Sequence, residues 1–278
     1  MKLLKPLKPI LNPNKAPALP GLLGELVKLM VLKRNVLLIG THGVGKTRMT
    51  FAAAEALNLR LKYMSASTLE PYADLGGIPI PDNDKKVIEF FHDLDLDNYH
   101  IFFIDEINRP SHIKVLNGLL ELIQFLSIQG RPFKKLKMVW AGMNPPTDNY
   151  QVDDLDPVLL DRFHHFINVP AHYSTDFFIK KFGDMGKELV LWANKLSPDK
   201  KAIVTPRRLE YIGDAIVKTN NKYNMVKTSI MPGSIAEADI KILCTMVSKY
   251  FGSVIELNGD NDDPLTQLLR DRVKLDGS

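Results

Sequence analysis

Gly40-Thr41-His42-Gly43-Val44-Gly45-Lys46-Thr47 is the stretch that decides the fold. Its spacing is G-x-x-x-x-G-K-[ST]. Directly before it runs Asn35-Val36-Leu37-Leu38-Ile39, an apolar stretch of strand length. Directly after it, Thr47 to Leu57 is rich in alanine and reads as a helix. A strand, a glycine loop and a helix in that order make a cradle for phosphate. The glycines let backbone N–H groups turn inward around phosphate oxygens, and the following helix points its N-terminus at the anion. Lys46 has the reach for the β- and γ-phosphates of a nucleotide, and the Thr47 hydroxyl can ligate Mg²⁺. His42 lies inside the loop, and nothing in the pattern gives its ring a chemical role.

Working outward, Ile101-Phe102-Phe103-Ile104-Asp105-Glu106 supplies a second half for such a site. Four uncharged apolar residues in a row indicate a strand covered on both faces. They place Asp105 and Glu106 at its carboxyl end, the edge where open α/β sheets bind ligands. Asp105 is the candidate to hold Mg²⁺ through its waters. Glu106 is the candidate to polarise an attacking water or take its proton.

Further strands are expected at Leu59–Met64, Met138–Ala141 and Phe166–Val169, with a leucine-spaced helix at Val115–Phe125. Strands separated by helices predict a parallel sheet sandwiched by helices. After Pro170 the pattern turns helical, at Asp184–Leu196, Thr205–Lys218 and Ser234–Phe251. Thr205 before Pro206 reads as a cap followed by proline in the first turn, and Ser234 with Glu237 reads as a capping box. The division expected is an extended Pro/Lys-rich arm over 1–20, an α/β nucleotide-binding domain over 21–171, and a helical lid with a C-terminal tail over 172–278. Pro6, Pro9, Pro13, Pro17 and Pro20 forbid a regular helix in the arm. It is expected either to hang loose or to lie on a neighbouring subunit. Asn258 to Pro264 reads as a turn or linker; it lacks the glycine and glutamate that a calcium loop needs.

Hydrophobic residues are 45% and charged residues 24% of the 278, enough to bury a core without disulfides. No apolar run approaches the ~20 residues of a membrane span. The single cysteine, Cys244, sits in an apolar run and reads as a buried, inert thiol, which fits a reducing, cytoplasmic setting. The net charge of +4 comes with lysines dispersed along the chain, which is weak evidence for nucleic acid.

Beyond these motifs the chain resembles the AAA+ ATPases. Asn144, in Met143-Asn144-Pro145-Pro146, looks like the first sensor, which positions the lytic water. Arg162, in Leu155-Asp156-Pro157-Val158-Leu159-Leu160-Asp161-Arg162-Phe163, looks like an arginine finger. Thr205-Pro206-Arg207-Arg208 resembles the second sensor, with Arg207 the better positional match and Arg208 the alternative. The resemblance extends over roughly Leu22 to Ile216. It is strongest to MoxR-type ATPases and their NorQ and CbbQ relatives, through Ala73-Asp74-Leu75-Gly76-Gly77-Ile78-Pro79, Asp105-Glu106-Ile107-Asn108-Arg109, and Asn144-Pro145-Pro146 followed by Tyr150, Val152, Leu155 and Asp161-Arg162-Phe163. His42, the proline-rich arm and a C-terminal third that matches only around Arg207 depart from the pattern.

The resemblance implies an ATP- and Mg²⁺-dependent ring, a hexamer or a related assembly, with nucleotide between subunits. It also implies a β-hairpin before the first-sensor strand, for which Ser127 to Phe133 is suited. The implied partner is a client protein that the ring remodels or activates, in some relatives one with a von Willebrand factor A domain. Two other readings stand beside it: a DNA-acting motor or loader of RuvB-like or McrB-like type, the latter preferring GTP, and a nucleotide-gated scaffold with little hydrolysis. Arg131, Lys134, Lys135 and Lys137 are expected on a solvated hairpin face.

Overall fold

The computed structural model describes residues 8–82, 87–91, 96–145 and 155–251. The chain divides into two compact units, Met1–Pro170 and Ala171–Ser278.

The first unit is built on strands β1 (Val36–Ile39), β2 (Leu61–Ser65), β3 (Ile78–Asp82), β4 (Val87–Phe91), β5 (Ile101–Asp105), β6 (Ser127–Ile128), β7 (Arg131–Pro132), β8 (Met138–Met143) and β9 (His165–Asn168). Five of them form one parallel sheet in the order β2-β5-β8-β1-β9. Its helices are α1 (Gly21–Val31), α2 (Lys46–Ala56), α3 (Ile113–Phe125) and α4 (Pro157–Leu160). Alternate strand residues point to opposite faces, and here both faces are covered. Leu37, Phe102, Ile104, Val139 and Ala141 pack with Val115, Leu119 and Leu122 of α3. Val36, Leu38, Phe103, Met138 and Trp140 pack with Leu26 and Met30 of α1 and Ala53 and Ala54 of α2. This is why β1, β5 and β8 read as apolar runs. The architecture is a P-loop sheet sandwiched by helices.

The described part of the arm, residues 8–20, does not hang loose. Ile10, Leu11, Ala16 and Leu19 pack against the core of their own unit, and the Ile10 N–H donates to the Leu57 carbonyl at 2.8 Å. The prolines do forbid a regular α-helix, leaving one 3-10 turn at Pro13–Lys15. The apolar residues between them, however, have a core to join.

Two further features of this unit were not foreseen. Pro71–Gly76 forms a π-helical turn, and β3 pairs with β4 antiparallel, Pro79 opposite Phe90 and Pro81 opposite Ile88. Prolines argue against a central strand, but in a two-stranded ribbon each strand is an edge and a missing N–H can face outward. The hairpin implied before the first-sensor strand is present as β6–β7, turning on Gln129 and Gly130, both at positive φ (51° and 74°). Glu121 holds that turn, accepting from Ser127 Oγ at 2.7 Å, Gln129 N at 2.9 Å and Gly130 N at 2.8 Å. Burial pushes the Glu121 pKa up, but these bonds outweigh it and leave the carboxyl below its ordinary value.

The second unit is helical: α5 (Thr175–Phe182), α6 (Met185–Lys195), α7 (Pro198–Ile203), α8 (Pro206–Lys218), α9 (Tyr223–Thr228) and α10 (Glu237–Ser248). They enclose Phe178, Leu189, Trp192, Leu209, Ile212, Leu243 and Val247. Thr205 caps α8 as expected, accepting from Arg208 N at 3.2 Å. The expected capping box does not form. The helix starts after Ala236 with no side-chain cap, Ser234 Oγ bonds back to the Met231 carbonyl at 2.7 Å, and Glu237 pairs with Lys227. Cys244 is buried, and burial lifts its thiol pKa to about 12, so no thiolate is available at neutral pH. No described helix is long and apolar enough to cross a membrane. Pro146, Tyr150, Val152, the Asn258–Pro264 segment and the tail lie outside the described residues.

Candidate active site

The C-terminal ends of β1, β5 and β8 bring together most of the residues singled out in the sequence. The loop from Gly40 to Gly45 leaves β1 and enters α2. Gly43 and Gly45 adopt positive φ of 72° and 98°, which bends the backbone into a cradle that a side chain would strain. Gly45 is the N-cap of α2 and supplies no side-chain acceptor, so the first N–H groups of the helix are left for another acceptor. His42 is exposed on this loop.

Lys46 is buried at the base of the loop, with 7% of its surface accessible. Its ammonium donates to the Gly40 carbonyl at 2.6 Å, the Thr41 carbonyl at 3.1 Å and Asn144 Oδ1 at 3.0 Å. The cation is thus tied to the first-sensor candidate on the neighbouring strand. Thr47 Oγ1 donates to Asp105 Oδ2 at 2.7 Å, and Asp105 Oδ1 accepts from the Glu106 N–H at 3.0 Å. The hydroxyl and carboxylate are hard oxygen donors side by side, the set Mg²⁺ prefers. Gly142 provides the room: a Cβ there would lie 2.7 Å from Asp105 Oδ1 and 3.5 Å from Lys46 Cε.

Glu106 sits in the left-handed region at φ 54°. Such a conformation costs a non-glycine residue on the order of 1 kcal/mol or more. It is fixed on both sides, by its own bond to Asp105 and by Ile107 N donating to the Gly142 carbonyl at 3.0 Å. No residue-type pattern gave warning of it.

Two positioning residues were not assigned a role from the sequence. One is Gly142. The other is Asn108, 1% exposed, whose Nδ2 donates to the Asn144 backbone carbonyl at 3.0 Å and so fixes the segment carrying the sensor. A polar residue two positions after a catalytic pair, in the run Asp105-Glu106-Ile107-Asn108-Arg109, was the available signal for Asn108. For Gly142 there was none.

Arg162 is elsewhere. It precedes β9, whose His165 pairs with Val36 at the start of β1. It therefore lies at the N-terminal edge of the sheet, whereas Gly40 follows the last residue of β1. The five residue steps from Asn35 to Gly40 span roughly 16 Å of strand. Arg162 donates to the Val158 carbonyl of α4 and lines a cavity of about 280 Å³ with Asn35, Ile123, Gln124, Asp161 and His164. It forms no ion pair with Asp156 or Asp161 among the described residues. Asp156 instead caps α4 through the Val158 N–H at 2.8 Å. In the second unit, Arg208 donates to the Ser229 carbonyl at 3.3 Å and lies 5.7 Å from the Tyr211 ring centre. Arg207 is exposed in the first turn of α8.

No curated protein matches the chain. Among solved structures, a Cytophaga hutchinsonii protein described as a candidate ATPase is 19% identical, with a TM-score of 0.43 over 82% of this chain and 73% of that one. The RuvB Holliday junction branch migration motor of Thermotoga maritima is 19% identical, with a TM-score of 0.44 over 83% of this chain and 76% of that one. The fold is carried by the chain's own strand order, not by these distant likenesses. The family model does reach the site: residues 35–163, which hold the phosphate loop, Asp105, Glu106, Asn144 and Arg162, match the AAA domain of the dynein-related subfamily.

Proposed function

We propose that the chain is an ATP-hydrolysing subunit of a homo-oligomeric ring of MoxR type, a hexamer or close to it, that remodels or activates a partner protein in a reducing, cytoplasmic setting. The observation that carries the reading is the separation of the machinery. Lys46, Thr47, Asp105, Glu106 and Asn144 share one edge of the sheet, and Arg162 sits at the other. A second copy must bring its arginine to the first copy's nucleotide if Arg162 is to act.

In this reading Lys46 and the loop N–H groups hold the phosphates, and Thr47 with Asp105 holds Mg²⁺. The metal would neutralise phosphate charge when bound. Glu106 takes the proton of the attacking water, and Asn144, bonded to Lys46, orients that water against the γ-phosphate. Arg162 of a neighbouring subunit meets the charge that develops on the transferring oxygens. Arg207 is the better second-sensor candidate, because Arg208 is already engaged within its own unit. A pure nucleotide-gated scaffold would need neither Glu106 nor Arg162.

The test is capture by a trapped state. Glu106→Gln should bind ATP, turn over at least about a hundredfold more slowly, and retain a partner protein that the wild type releases. Wild-type turnover in this variant would remove Glu106 as the base. Slow turnover without ring assembly would refute the ring.

A further inference from the structure

The N-terminal edge of the sheet carries charge that nucleotide chemistry does not use. Arg60 directly precedes β2 and Lys62 lies within it; Tyr99 and His100 directly precede β5; Lys135 and Lys137 come just before β8. Because β2, β5 and β8 are adjacent and parallel, the three stretches meet. Backbone bonds lock them together. His100 N donates to the Arg60 carbonyl at 2.8 Å, Arg60 N to His100 Nδ1 at 2.9 Å, and Lys137 N to the His100 carbonyl at 2.9 Å.

The cations gather around the Tyr99 ring, with the Arg60 guanidinium 5.3 Å and the Lys62 ammonium 5.9 Å from its centre. The Lys135 ammonium donates to Asn98 Oδ1 at 3.3 Å and that of Lys137 to the Lys134 carbonyl at 2.9 Å. Arg60, Lys62, Lys135 and Lys137 have no carboxylate partner among the described residues. Nearby Arg131 does, pairing with Asp97 at 3.0 Å. His100 registers the field: burial first, then Arg60, Lys137 and Lys135, depress its pKa below 6.5.

Like charges gathered without counter-charges repel one another and weaken the fold. An external polyanion relieves that repulsion. We propose that this edge binds the phosphate backbone of a nucleic acid, without regard to sequence. A protein partner with an acidic surface is the competing occupant, and the apolar inventory speaks against it. Protein interfaces are centred on buried apolar or aromatic anchors. Here the apolar residues of the edge, Leu59, Leu96, Ile101 and Leu136, are all buried in the chain's own core, and the Tyr99 ring is faced by two cations. Phosphate contacts require no such anchor. The edge is also the one remote from Lys46, so a strand bound there leaves the phosphate loop open. The inference does not depend on hydrolysis.

The test is fluorescence anisotropy of a labelled oligo-dT strand and a labelled mixed-sequence duplex with the full chain, without nucleotide, across a salt series. Four phosphate contacts predict a slope of log affinity against log salt of about −3 for the single strand and about −3.6 for the duplex. Arg60→Gln with Lys62→Gln should roughly halve the slope, and so should Lys135→Gln with Lys137→Gln. Neither pair should lower the melting temperature or the ATPase rate. Absence of binding at low salt, or slopes unchanged in both double variants, would overturn the proposal. Displacement of the oligonucleotide by poly-glutamate as readily as by unlabelled oligonucleotide would assign the edge to an acidic protein segment instead.

Discussion

The two edges of the parallel sheet manage their polar groups in opposite ways. At the C-terminal edge Lys46, Asn108 and Asn144 are buried, and Lys46, Thr47, Asp105 and Asn144 are bonded to one another or to the loop. At the N-terminal edge Arg162, Arg60 and Lys137 are exposed or half-exposed and held through backbone carbonyls, aromatic faces or backbone contacts. Buried, mutually bonded groups are rigid and preorganised, which suits chemistry. Exposed cations held only by carbonyls or rings keep their charge for something outside the chain. One edge ties its groups to one another, and the other is addressed to partners.

The largest expected effect falls on the self-contained edge. Lys46→Ala should abolish measurable nucleotide binding by titration calorimetry while the circular dichroism spectrum stays folded. Ordinary nucleotide affinity in a folded Lys46→Ala protein would break the contrast at its root.

The sequence disclosed the self-contained edge far better than the other. Glycine spacing, a lysine and a carboxylate pair after an apolar strand are local patterns, and local patterns survive in one dimension. The middle of the sheet was legible for the same reason, since β1, β5 and β8 are covered on both faces and read as apolar runs. What escaped is set by tertiary approach. Gly142 matters only because β8 lies beside β5, and Glu106 is left-handed only because Asp105 and Gly142 hold it. The four cations of the opposite edge are scattered over 60–137 and read as dispersed charge until β2, β5 and β8 align. The capping box at Ser234 failed because Lys227, remote from the helix start in sequence, claims Glu237. The arm was misjudged because proline spacing shows what a segment cannot form and not where its apolar residues go.

A smaller effect should follow from crowding the self-contained edge. Gly142→Ala places a methyl 2.7 Å from Asp105 Oδ1, which must move the carboxylate away from Thr47. A displacement near 1 Å in a catalytic group costs up to about a hundredfold in rate. ATPase turnover should therefore fall about ten- to a hundredfold, with a modest loss of melting temperature. Unchanged turnover would mean that the Asp105 position is not critical.

The smallest effect belongs to the partner-facing edge and to pH. His100 and His164 both accept a backbone N–H at Nδ1, from Arg60 and Asn35, each at 2.9 Å. Both have pKa values lowered below 6.5, chiefly by burial. A histidine whose folded pKa is depressed takes up its proton more readily in the unfolded chain. Stability should be full above about pH 6.5 and decline as pH falls from there through the lowered folded values. His100→Gln and His164→Gln should flatten the decline in melting temperature over that interval. An equal decline in both variants would remove the two rings as its source.

The central claim is that the arginine at one edge serves the nucleotide at the other edge of a second copy, and mixed-subunit ATPase assays test it most directly. Arg162→Ala should bind ATP and assemble yet lose about 10³-fold or more in turnover, the scale of an arginine finger. Lys46→Ala should also be inactive alone. Mixed at ring-forming concentrations, the two should regain part of the wild-type rate, because an intact loop on one subunit then meets an intact arginine on the next. If the variants form mixed rings and no activity returns, Arg162 does not act across subunits.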